Sequence, residues 1–165
     1  MSANYLWSDA WLLLAVIYAA AETRGRAVSP QRPAALEDVT YAADFLEHDI
    51  MFFEQMEGAL ARLTEGGYLI ELDGKFEPSE KTLSFYRALP ERGRTVRDDL
   101  EDVRLFLGAA EWTPAEKPRS ANAGVSYPNL TRARYDEALE KYYARFPRFN
   151  ARRKKAEALR LEPPG

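Results

Sequence analysis

The sixteen residues 67–82, GYLIELDGKFEPSEKT, constrain the fold more than any other part of the chain. Asp73-Gly74 is the pair favoured by a two-residue type I′ turn, which needs positive φ at both central positions and twists in the same sense as its strands. YLIEL before the turn has β-branched and aromatic character, and KFE after it reads as the partner strand. Tyr68, Ile70 and Phe76 are the side chains expected to cover a helical core. Ser79 follows at once as an N-cap for a helix carrying Leu83, Tyr86 and Leu89 and closed by Pro90.

Helices are expected on both sides of this hairpin. Ser8 is placed to cap a first helix, and the apolar run AWLLLAVIYAAA at 10–21 says that it is buried on most sides before it ends near ETRGR. Gly25, Pro30 and Pro33 make residues 24–35 a connection. Leu36, Val39, Ala43 and Leu46 recur at helical spacing, with Glu37 and Asp38 in the first turn where the positive end of the helix dipole favours acids. After the turn EHDI a third helix spans about 52–65, with Phe53, Met56, Leu60 and Leu63 inward and Gly66-Gly67 as its stop. Beyond the hairpin and its helix, Thr95 with Asp98 resembles a capping box, and Val96, Leu100, Val103 and Leu107 repeat at spacings 4, 3, 4. Residues 109–130 hold Pro114, Pro118 and Pro128 and read as a long loop. Thr131 then precedes a sixth helix in which Tyr135, Leu139, Tyr142 and Phe146 repeat at 4, 3, 4 and which Pro147 ends.

Composition bounds the function. A chain of 165 residues with 46% hydrophobic and 12% aromatic residues is globular, and two full enzyme domains do not fit in it. There is no cysteine, so disulfides and thiolate zinc sites are excluded, which fits a reducing cytoplasm. The apolar run at 10–21 is about 12 residues, against about 20 for a membrane-spanning helix. The start MSANYLWSD lacks the basic residues of a secretion signal, and no membrane partner is expected. The net charge of −3 is unevenly distributed: residues 1–89 carry 7 Lys/Arg against 14 Asp/Glu, and residues 131–165 carry 10 against 5. The two ends should attract opposite partners, or each other.

Helix, helix, helix, tight hairpin, helix is the order of a winged helix-turn-helix. The run ADFLEHDIMFFEQMEGALARLTEGGYLIELDGKFEPSEKTLSFY, 43–86, resembles the helix-turn-helix and wing of the PadR-like and MarR-like regulators. The resemblance covers roughly residues 9–89 and implies a mainly α, winged-helix domain at 1–90. A helical extension at 91–146, including the loop 109–130, and a basic tail at 147–165 complete the expected organisation. It further implies a DNA-binding transcriptional regulator, and such proteins often dimerise through helices added outside the wing.

Candidate contact residues follow from that frame. With Leu60 at the centre of the buried stripe, the opposite face of the third helix carries Glu54, Gln55, Gly58, Arg62 and Glu65. Gln55 and Arg62 have the groups that read adenine and guanine edges, and Lys75 sits at the wing tip beside a cancelling Asp73. Arg152, Arg153, Lys154 and Lys155 form a cluster suited to phosphates or to an acidic protein surface. Val96, Leu100, Val103, Leu107, Tyr135, Leu139, Tyr142 and Phe146 are candidates for a homodimer seam, and equally for packing within the chain. The acids on the third helix support a second reading, a protein-interaction or scaffold module that does not bind DNA. A weaker one is an enzyme using the carboxylates that flank the single histidine, His48. The chain has no phosphate-binding glycine loop, nucleophile elbow or metal-spaced histidine pair, so no catalytic residue, metal ligand or cofactor is assigned.

Overall fold

Three helices precede the hairpin and three follow it in the computed structural model, which describes residues 4–20, 32–90, 93–113 and 118–145. Phe146, the tail cluster Arg152 to Lys155 and most of the first connection lie outside the described residues. Helix α1 (Trp7–Ala20) is buried almost all round, as its unbroken apolar run requires, and α2, α3 and α5 pack against it. Ser8 is not the cap. It lies inside the helix, buried, with Oγ unpartnered, while the Asp9 carboxylate accepts the Leu6 N–H at 2.9 Å.

Helix α2 (Leu36–Glu47) buries Leu36, Val39, Ala43 and Leu46 as expected, and closes on His48, which adopts the left-handed conformation (φ 55°). Helix α3 (Phe53–Glu65) starts after Phe52, which has no acceptor to offer. Gln55 caps instead by accepting the Phe52 N–H at 2.9 Å, half of a capping box. Met56, Leu60 and Leu63 are buried.

Strands β1 (Leu69–Leu72) and β2 (Lys75–Pro78) pair antiparallel through Asp73 (φ 51°) and Gly74 (φ 77°), the geometry a type I′ turn demands. A two-residue turn puts Glu71 opposite Phe76 and Leu69 opposite Pro78. Leu69 and Phe76 therefore face the core together, and Ile70 turns outward, contrary to expectation. Ile70 pairs with Glu77 and so lies on the other side of the pleat from Phe76. A further rung was not foreseen: Ala34 bridges to Phe76 by two backbone hydrogen bonds of 2.7 and 2.9 Å. Helix α4 (Glu80–Arg87) is capped by Ser79, whose Oγ accepts the Thr82 N–H at 3.4 Å.

Helix α5 (Val96–Leu107) opens with the expected box, Thr95 Oγ1 accepting from Asp98 N and Asp98 Oδ2 from Thr95 N, and it packs on α1. Helix α6 (Arg132–Arg145) packs on α2. Two buried phenols fix it there, Tyr135 donating to the Met51 carbonyl and Tyr142 to Asp44 Oδ2, both at 2.6 Å. One continuous core runs from α1 into α6. The stripes offered for a homodimer seam are thus used inside the chain: Leu100, Val103, Leu107, Tyr135 and Tyr142 are buried, and Val96 and Leu139 are half-buried against the same core. Among the described residues no helix is long and apolar enough to cross a membrane.

Candidate functional site

The outward face of α3 is covered. Residues 118–130, expected as loop, make a 3-10 turn at Pro118–Ser120; this turn with Ala121 and Asn122 lies against α3, Tyr127 and Asn129 reach Glu71 on the hairpin, and Ala121 and Leu130 are buried. The approach is close enough that a Cβ on Gly58 would come within 2.8 Å of the Ala121 carbonyl oxygen and of Asn122 Cα. Asn122 Nδ2 donates to Glu57 Oε1 at 2.8 Å, and the Arg132 guanidinium stands 4.3 Å above the Phe53 ring and 3.4 Å from Glu54 Oε1. Of the α3 residues, only Glu65 is exposed.

The residues expected to read bases have other tasks. Gln55, 7% exposed, caps the start of α3. Arg62 forms a bidentate ion pair with the fully buried Asp9, Nε to Oδ2 at 2.7 Å and Nη2 to Oδ1 at 2.8 Å, tying the end of α3 to the start of α1. Helical spacing assigned these two positions to a solvent face because it assumed one buried stripe. Here α3 is buried by its own core on one side and by residues 118–122 on the other. A glycine in the middle of a helix, which costs about 1 kcal/mol relative to alanine, was the available sign of a second close neighbour.

At the hairpin, Lys75 is exposed at the tip as expected, but the turn is pinned from behind. Arg134 Nη2 donates to the Gly74 carbonyl at 2.8 Å and Nη1 to that of Asn129. Glu71, on the inner face, accepts from the Tyr127 hydroxyl and from Asn129 Nδ2, with Arg134 at 3.9 Å. Burial and the bond to Glu71 push the Tyr127 phenol well above its ordinary range. The outer face carries Ile70 and Leu72, 42% and 46% exposed, opposite Glu77 and Lys75. Lys81, exposed, stands over the Tyr68 ring at 3.7 Å and donates to the Gly66 carbonyl.

His48, flanked by Glu47 and Asp49, borders a cleft of about 760 Å³ between the end of α2 and α5. Leu46, Val96 and Leu100 line it with Trp7 and Trp112, and Arg104 on its rim is held by both oxygens of Glu101 at 2.6 and 2.9 Å. Burial raises the Glu47 carboxyl above its ordinary value, with Arg97 and His48 opposing the shift and Asp49 adding to it. The His48 ring makes no side-chain hydrogen bond among the described residues. Among those residues no group of three or more His, Asp or Glu converges as a metal site would require. Comparison of the chain with protein-family models, with curated proteins and with solved structures finds no match.

Proposed function

We propose that this chain is a winged-helix interaction module that works through protein contacts, its third helix closed to DNA by its own residues 118–122. The winged-helix reading is supported by the element order and by the Ala34–Phe76 rung, which joins the segment before α2 to the hairpin as a third short strand. The observation that carries the protein-contact reading is the covered α3. A helix that reads DNA must bring its outer side chains to base edges about 8.5 Å deep in the major groove. Here that surface lies beneath Ala121 and Asn122.

Charge supports the same reading. Phosphate binding needs cations that are free to release counterions. Arg62, Arg87, Arg94, Arg104, Arg132, Arg134 and Arg145 each stand within 4.0 Å of a carboxylate of this chain. The exposed Ile70 and Leu72 offer apolar contact area on the hairpin, where Lys75 is the one cation and Glu77 opposes it. Fluorescence polarisation with mixed duplex DNA at low salt tests the reading. Any binding is expected to disappear when Arg152, Arg153, Lys154 and Lys155 are replaced together by alanine. Binding that survives this replacement and is weakened by Lys75→Ala would contradict it.

A further inference from the structure

The chain has three tryptophans, and all of them line one smaller cavity, of about 350 Å³, that adjoins the His48 cleft and shares Trp7, Glu47 and Trp112 with it. Trp11 is held rigidly, its indole N–H donating to the Ala43 carbonyl at 2.9 Å, and its ring lies 5.6 Å from that of Trp7 at 40°. Trp112 is 59% exposed. Glu47 and Asp49 supply carboxylates to the same wall, and no lysine or arginine lines the cavity among the described residues. We infer that this cavity binds an organic cation, the side chain of a lysine or arginine on a basic peptide of a partner protein, held against the Trp7 and Trp112 indoles, which the buried Trp11 backs, and against the Glu47 and Asp49 carboxylates.

Aromatic faces attract cations through the ring quadrupole, by about 0.5–2 kcal/mol, and tryptophan does so best. Carboxylates beside the rings select against neutral and anionic ligands. Burial disfavours the ionised form of Glu47, and a bound cation would favour that form again. The adjoining larger cleft continues from the shared wall; Leu46, Val96 and Leu100 give the residues flanking that side chain apolar contacts, and its Glu101 and Glu111 carboxylates stand beside Arg97 and Arg104. The inference rests on the protein-contact reading above and names the class of partner it would serve.

The test is calorimetric titration of the full chain with hexalysine at constant ionic strength, with hexaglutamate as control. Saturable binding of hexalysine alone is expected, weakened at least tenfold by Trp112→Ala and about threefold by Glu47→Gln, and unchanged by Lys117→Ala. Trp112 is largely exposed and Glu47→Gln keeps its shape, so neither variant threatens folding. Absence of saturable binding, or binding that both variants leave intact, overturns the inference. If hexalysine fails to bind while DNA binding still follows the tail alone, the cation site is lost and the protein-contact reading stands.

Discussion

Gly58 shows how one side chain, or its lack, sets what a helix face can do. Alanine would satisfy helix propensity better, yet its Cβ would meet the backbone at Ala121 and Asn122, which cannot swing aside as a side-chain tip can. Gly58→Ala is therefore expected to destabilise the protein by about 1–3 kcal/mol in urea denaturation, the range for overpacking. A gain in stability would show that residues 118–122 do not lie where described. At the other end of α3, Arg62→Leu strands the buried Asp9 carboxylate, and a loss of about 3–5 kcal/mol is expected from a broken buried pair. Glu47 acts through pH. Its raised pKa means that the folded state binds the proton more tightly than the unfolded chain, so its contribution falls as pH rises above the ordinary carboxylate range and through the folded-state value. Glu47→Gln should accordingly raise the Tm at pH 7 and confer little or no gain at pH 4. Equal gains at both values would contradict the assignment.

Elements were legible in the sequence wherever a local signal sufficed. Asp73-Gly74 determined the hairpin turn, Thr95 and Asp98 the start of α5, and Ser79 that of α4, because each is chemistry between residues at most three apart. The same periodicity found Leu100, Val103, Tyr135 and Tyr142 but could not say what they meet. A stripe facing a second copy and one facing α1 or α2 are identical in one dimension. The structure assigns them to the chain itself, where Tyr142 donates to the buried Asp44. Tyr142→Phe removes this buried hydrogen bond to the carboxylate, and a loss of about 1–3 kcal/mol is expected by thermal or chemical denaturation. Gln55 and Arg62 were misplaced for the converse reason: α3 has two buried sides, and the second is made by residues about sixty positions away.

At the scale of the whole molecule, the acidic half and the arginines of the C-terminal half meet within one chain, as the pairs Arg132–Glu54, Arg134–Glu71 and Arg145–Asp38 show. The uneven charge distribution visible in the sequence is thereby partly neutralised inside the chain. With its apolar stripes inside as well, the protein is expected to elute at the mass of one chain in light-scattering chromatography. The central claim, that residues 118–122 cover α3, is open to direct measurement because the chain has no cysteine. A single cysteine can be placed at Ala121, buried against α3, or at Val125, exposed four residues later. Maleimide labelling in native buffer is expected to be at least tenfold slower for Ala121→Cys than for Val125→Cys, with the difference removed in urea. Equal rates in native buffer would mean that α3 is open, and the case for a third helix closed to DNA would fail.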